Sequence, residues 1–390
     1  MIECGLEVFL KKDFKRFQKK RLGLLCNQAS VTRELRHASA VLLDPKLGLN
    51  ISWFLGTQHG IRGEKQDNMV ESKDFLEPNS KKPVFSLYAD TRVPTPRMLE
   101  HLDVFLIDLQ DVGTRIYTFM YTMENCMRAA KNRGIPVVVL DRPNPIGGVQ
   151  TEGNVLDLKF SSFVGQQPIC TRHGMTMGEL ALLFNVEFQI ECELEIIRVK
   201  GWKRSQYADS WGRGFVPPSP NIPVLDSAIT FPGGVHFEGT NISEGRGTTK
   251  PFEFVGAPFI DPDKLANHLN SKRLQGTYFR PIFFQPTYQK WKDALCGGVQ
   301  IHVIDRQKFN SFRAGIELLG AIAQLYPKHL EWKKPPYEYE YERNPLDLIT
   351  GTNFLRFEIE REHSVKKFLE NSTRELAKFR KVREKYLLYK

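Results

Sequence analysis

The sequence predicts an α/β protein, a Rossmann-like doubly wound parallel sheet followed by a smaller α+β domain. Three observations carry this. Five short apolar runs alternate with helical patterns over the first 150 residues, polar residues follow the ends of four of those runs, and beyond Asp261 the order changes to helix, strand, strand, helix. Uninterrupted apolar runs mark strands buried on both faces, as a parallel sheet covered by helices requires.

The first run, Arg21 to Asn27, reads as a strand, and a helical segment follows over Arg33–Leu43. Ile51–Gly56, Val84–Tyr88 and Val104–Leu109 make the second, third and fourth strands. Pro136–Asp141 makes the fifth, after an amphipathic helix over Tyr117–Asn132 that Gly134 stops. A helix over Met175–Asn185 and a strand over Leu194–Val199 continue the pattern. The proline-rich stretch Val216–Pro223 must be extended, facing solvent or lining a cleft. After Asp261 come a helix, strands at Tyr278–Phe284 and Gly298–Val303, and a helix over Phe309–Leu325. A tyrosine-rich connector, Pro335–Tyr341, leads to terminal helices. The expected division is residues 1–260 for the Rossmann-like catalytic domain and 261–390 for the α+β domain.

Hydrophobic residues make up 41% and charged residues 26% of the 390, an ordinary globular composition. No apolar run approaches the roughly 20 residues that span a bilayer. The start passes directly into Lys11-Lys12-Asp13, unlike an export signal, so a cytoplasmic location is expected. Six scattered cysteines without a CxxC pair read as buried free thiols. Neither they nor the nine histidines show metal-ligand spacing, and no metal or cofactor is expected. The net charge of +10 is concentrated in two short segments, Lys11–Arg21 and Arg361–Lys390, each with a surplus of six positive charges. Leu369, Leu376, Phe379, Val382 and Tyr386 fall at helical spacing among those charges. This predicts a docked helix with a solvated basic face, and no nucleic-acid partner.

The polar pairs Asn27-Gln28, Gln58-His59, Gln110-Asp111 and Asp141-Arg142 follow strand ends, where open α/β sheets bind ligands. The loop from Gly56 to Gly63 is neither GxGxxG nor a P-loop, and its glycines permit a tight turn. No GxSxG motif or paired cysteine nucleophile stands out. Carboxylates beside glycine are the better candidates: Glu152 in Thr151-Glu152-Gly153-Asn154, and Glu238 and Glu244 in the stretch that also holds Asn241 and Arg246. Glycoside hydrolysis needs two acids in different protonation states across the scissile bond. Arg115 and Arg246 could each hold a carboxylate by a bidentate fork or serve a structural ion pair. The rigid turn Asp141-Arg142-Pro143-Asn144-Pro145 either buttresses the cleft or binds substrate. His59 is a hydrogen-bonding or catalytic residue.

Longer stretches carry a resemblance. RLGLLCNQASV from Arg21, TQHGIRG from Thr57, LIDLQDVGTRIYT from Leu106, VLDRPNPIGG from Val139, TEGN from Thr151, FVGQQPICTRHGMTMGEL from Phe163 and the stretch Pro218–Ala257 resemble the NamZ-type exo-β-N-acetylmuramidases of glycoside hydrolase family 171, over essentially the whole chain. The resemblance implies a two-part fold flanking a cleft. It also implies hydrolytic release of N-acetylmuramic acid from non-reducing ends of peptidoglycan fragments without a metal or cofactor; members are often exported. The family's catalytic pair is a Glu in a loop resembling PEHGFRG and a Glu in a loop resembling EGP. The second matches Glu152, and the first lands on Gln58, beside His59. An amide has no proton to give and cannot act as base or nucleophile. Glu152 would then work with another acid, among which Glu64, Glu71 and Glu244 are nearest, or a substrate group would take part. The alternative is a catalytically weakened relative that binds amino sugars or muropeptides. The lactyl carboxylate of muramic acid would suit Arg62, Arg115 or Arg246. The expected substrate-binding residues are Arg62, Asn27, Gln110, Asp111, Arg115, Asp141, Arg142, Asn144, Glu238, Asn241, Glu244 and Arg246.

Overall fold

The computed structural model describes residues 2–67, 69–71 and 73–390. The strands are β1 (Arg21–Cys26), β2 (Asn50–Gly56), β3 (Phe75–Leu76), β4 (Pro83–Ser86), β5 (Val104–Asp108), β6 (Val137–Leu140), β7 (Glu152–Val155), β8 (Cys170–Arg172), β9 (Leu194–Ile197), β10 (Phe254–Ala257), β11 (Thr277–Phe284) and β12 (Cys296–Val303). The helices are α1 (Gly5–Lys11), α2 (Ala38–Leu42), α3 (Phe119–Lys131), α4 (Met177–Glu187), α5 (Leu225–Gly234), α6 (Pro262–Ser271), α7 (Ser311–Leu325), α8 (Pro345–Thr350), α9 (Phe354–Glu362) and α10 (Lys366–Arg383).

The main sheet has the order β3-β4-β2-β1-β5-β6-β9, parallel except for β3 at one edge. Its strands are apolar on both faces for a visible reason. Phe105, Ile107, Val137 and Val139 enter the larger core, while Val104, Leu106, Val138 and Leu140 enter a second core on the opposite face. An irregularity pairs Leu22 with Ile51 but Gly23 with Trp53, so β2 changes faces: Ile51 joins the second core and Trp53 and Leu55 the larger one. A Cβ on Gly23 would stand 2.4 Å from the Trp53 ring, which only glycine avoids. The five expected strands all form. The helix expected over Arg33–Leu43 shrinks to Ala38–Leu42, because Val31 and His37 pair as an antiparallel bridge and draw the preceding residues into a turn.

The second sheet is antiparallel, β10-β12-β11. β10 lies on the N-terminal side of the division expected at residue 260, yet it is a strand of this sheet. The larger core runs from Leu25 to Phe379 and so joins both parts of the chain. The C-terminal helix α10 buries Phe368, Leu376 and Phe379 and exposes Lys367, Lys378 and Lys381, as its spacing predicts. All six cysteines are buried and free. Among the described residues no helix is long and apolar enough to cross a membrane.

Candidate active site

The chain order reverses between β1 and β5, the point where an open sheet leaves a crevice. Here that point is stitched shut: Asn27 Nδ2 donates to Gln110 O at 3.0 Å, and Gln110 Nε2 donates to the carbonyls of Asp111 and Pro143. The open space lies one strand over, beyond the end of β2. There the chain turns sharply, with Gly60 N donating to Thr57 O at 3.0 Å and His59 at φ +71°. The turn directs Gln58 and His59 into a narrow cleft of about 40 Å³. Ile116, Tyr117 and Thr118, between β5 and α3, form one wall. Ser219, Asn221 and Ile222 of the proline-rich stretch form another, which makes that stretch cleft-lining rather than solvent-facing. Glu238, Arg246 and Phe252 close the third side, and Tyr337 and Glu338 the fourth.

The tyrosine-rich connector supplies a residue that sequence reasoning missed. Tyr337 and Glu340 exchange both backbone hydrogen bonds, at 2.9 and 3.0 Å, so Glu338 and Tyr339 are the central residues of a tight turn. Both have positive φ, +47° and +65°, the mark of a type I′ turn. Asn-Gly is the usual occupant, and non-glycine residues here cost on the order of 1–3 kcal/mol each. Side-chain contacts hold them. Tyr339 is stacked under the Arg92 guanidinium at 3.7 Å and edge-on to Tyr88. Glu338 accepts from Tyr88 Oη at 2.6 Å and from Gln58 Nε2 at 3.2 Å. Gln58 Nε2 also donates to Tyr88 Oη at 3.0 Å, and Thr118 Oγ1 donates to Gln58 Oε1 at 2.7 Å, which fixes the amide's orientation.

The two carboxyls of the cleft stand in different surroundings. Burial pushes Glu338 up to about 7, reinforced by the charge of Glu238 and opposed by the bonds from Tyr88 and Gln58. Glu238 accepts from Arg246 Nη2 at 2.6 Å and from Tyr337 Oη at 2.7 Å, partners that suit an ionised carboxylate. Burial lowers the pKa of His59 to about 4. Its Nδ1 lies 2.7 Å from the carbonyl of Lys65, which can only accept, so the neutral ring carries its proton on Nδ1 and leaves Nε2 as an acceptor.

Contacts behind the cleft fix these groups. Lys290, on the connection between β11 and β12, donates to the carbonyls of Phe237 and Ile242 and to Glu244 Oε2 at 2.8 Å. Burial opposes the charge on Glu244, but Lys290 and Arg246 outweigh it and hold its pKa below the ordinary value. The same connection reaches the proline-rich wall, where Tyr288 Oη donates to Asn221 Oδ1 at 2.6 Å.

Of the expected site residues, Gln58, His59, Glu238 and Arg246 meet in this cleft, with Glu244 directly behind them. The others are engaged elsewhere. Glu152 does not line the cleft: one oxygen pairs with Arg172 at 2.5 Å and the other accepts from Phe312 N at the start of α7. Arg115 is fully buried, and its Nη2 donates to the carbonyls of Ile349 and Thr350. Arg142 pairs bidentately with Asp108, and Asp141 accepts from Thr176 Oγ1, Gly178 N and Tyr389 Oη, tying α4 and the C-terminus to β6. Asn144 bridges Met175 O and Ile146 N. Asp111 accepts from Gly113 N and faces His173 at 3.3 Å. Asn241 links to His329 and Glu331, and Arg62 to Glu77. Glu64 accepts from Arg62 N and Glu71 from Tyr339 Oη, and neither lines the cleft. In this structure these residues make contacts within the protein and do not line the cleft. Among the described residues no group of three or more His, Cys, Asp or Glu side chains could hold a metal ion.

Comparison with known proteins agrees along the full length. Residues 22–226 match the family model for the N-terminal part of exo-β-N-acetylmuramidase NamZ, and residues 229–389 the model for its C-terminal part. The peptidoglycan β-N-acetylmuramidase NamZ of Bacillus subtilis (strain 168) is 42% identical over 388 residues, covering 100% of this chain and 91% of that protein. Two crystal structures of DUF1343 family proteins from Bacteroides fragilis NCTC 9343 superpose, each covering 100% of this chain and 99% of the other. Their TM-scores are 0.91 and 0.76, at 33% and 26% identity. The chain belongs to the NamZ family of exo-β-N-acetylmuramidases.

Proposed function

We propose that this chain is an exo-β-N-acetylmuramidase, hydrolysing the bond that joins a terminal N-acetylmuramic acid to a peptidoglycan fragment. Membership of the family over both halves of the chain supports the activity. The observation that carries the location is the pair of carboxyls, Glu238 and Glu338, lining one cleft beside Gln58. Glycoside hydrolysis asks for one protonated and one ionised carboxyl, and unlike surroundings are what separate the two states. Glu238, bound by Arg246 and Tyr337, is suited to face the positive charge that develops at the anomeric carbon. His59 Nε2 offers an acceptor to a sugar hydroxyl, and Tyr117, Phe231 and Phe252 supply apolar surface for a sugar ring. Glu152, expected from the resemblance to be a catalytic acid, takes a scaffold role in this reading.

The test is release of muramic acid from an aryl N-acetylmuramide by the purified protein. Turnover is expected, with Glu238→Gln lowering kcat by roughly 10²–10⁴-fold. Calorimetric binding of a muramic disaccharide with no release over hours at high enzyme would instead identify a sugar-binding relative disabled at Gln58.

A further inference from the structure

We infer that Glu338 is the acid that protonates the leaving sugar oxygen, and that Gln58 is the neutral neighbour matched to it. This rests on the muramidase reading above. The inference starts from elimination among carboxyls. Glu152 is outside the cleft and fully occupied by Arg172 and Phe312 N. Glu244 lies between Lys290 and Arg246, and Glu238 is held by Arg246 and Tyr337. Glu338 lines the cleft, and the two side chains bonded to it, Tyr88 and Gln58, are both neutral.

The backbone points the same way. Glu338 sits at φ +47° at the tip of a turn that its side chain is poorly suited to, a strain that persists only where surrounding contacts impose it. His59 and Phe252, also on the cleft, share positive φ, at +71° and +64°. Burial then holds the Glu338 carboxyl up at about 7, so it carries a proton to give at neutral pH.

Gln58 is suited to this arrangement. A carboxylate in its place would stand about as close to Glu338 as the amide does, 3.2 Å, and the two would have to share one proton. The amide donates instead, with its orientation fixed by Thr118. Oε2 of Glu338 accepts from the Tyr88 hydroxyl, and Oε1 can carry the transferable proton while still accepting from Gln58 Nε2 through a remaining lone pair. In the step, the Glu338 O–H bond breaks and the proton passes to the glycosidic oxygen. The bond from that oxygen to the anomeric carbon breaks with both electrons going to oxygen, and the leaving sugar departs as an alcohol. The Glu338 carboxylate is then stabilised by the Tyr88 and Gln58 donors. Water adds to the anomeric carbon, and the proton it loses restores Glu338.

The experiment compares two substrates, a muramic disaccharide with a sugar leaving group and an aryl muramide whose phenolate needs no protonation. For Glu338→Gln, kcat/KM on the disaccharide should fall roughly 10²–10⁴-fold while the aryl substrate changes by about 10-fold or less. The fall in wild-type disaccharide activity above about pH 7 should vanish from the residual activity. Equal losses on both substrates, or no loss on the disaccharide, would overturn the inference while leaving the muramidase reading intact; a wild type inert on both substrates would instead fail that reading. If Glu338→Gln does not fold, Gln58→Glu carries the test. A second carboxyl sharing the proton should displace the alkaline limb of the pH profile, and an unmoved limb overturns the inference.

Discussion

Gln58 and Glu338 are 280 residues apart in sequence and in hydrogen-bond contact in the fold. At Gln58 the resemblance shows the amide and the problem it poses, but nothing in the sequence names the partner. Glu338 stands among Tyr337, Tyr339, Glu340 and Tyr341, where alternating Tyr and Glu look like a solvated connector. Only the turn geometry singles it out. Glu152 is the converse case: its glycine neighbour suggests approach to a ligand, but its carboxylate meets Arg172 and the start of α7. Glu152→Gln should therefore act on stability. Breaking a buried ion pair leaves Arg172 uncompensated and costs about 3–5 kcal/mol. Urea unfolding should show that loss, while the folded fraction retains most of its kcat; a folded variant of unchanged stability with kcat down a hundredfold would return Glu152 to the chemistry.

Among the elements, the parallel strands were legible because burial on both faces leaves an uninterrupted apolar run, as in residues 104–107 and Val137–Leu140. The polar residues at their ends were legible as a group but not individually. Asn27 and Gln110 satisfy each other across the switch point, and only the β2 end delivers its pair to the cleft. The connection between β11 and β12 was not visible as part of the site, since its contacts with Phe237, Ile242, Glu244 and Asn221 are long-range. Lys290 makes this connection a support for the Glu238 loop. Lys290→Met leaves two carbonyls without their donor and Glu244 without its nearest cation. It should lower stability by about 3–5 kcal/mol and, in the folded protein, kcat/KM by roughly tenfold. The alkaline limb of the pH profile should stay in place, because Lys290 does not touch Glu338; a displaced limb would argue that the two are coupled.

Across the whole molecule, buried ionisable groups give stability a pH dependence of opposing signs. Burial raises Asp141, which ties α4 and the C-terminus to β6, to about 7. Its folded pKa lies above its unfolded value near 4, so its contribution is fully present below about pH 4 and is lost as pH rises towards 7. His59 and His236, lowered by burial to about 4, act oppositely: their contribution is present above about pH 6.5 and is lost as pH falls towards 4. The comparison of wild type with Asp141→Asn isolates the first effect, because the histidines cancel. The stability of wild type relative to the variant should decline between pH 5 and pH 8, measured by urea unfolding, and a constant difference would remove Asp141 from the account. The fold as a whole was readable because its sheets follow from periodicity. The cleft was not, because its four sides come from segments spread from Gln58 to Glu338. The measurement that tests the cleft most directly is a crystal structure of the Glu338→Gln protein with a muramic disaccharide bound. The muramic ring is expected between Glu238 and residue 338, with the glycosidic oxygen within hydrogen-bonding distance of the residue 338 side chain. A ring bound beside Glu152, with the Gln58 cleft empty, would contradict the account.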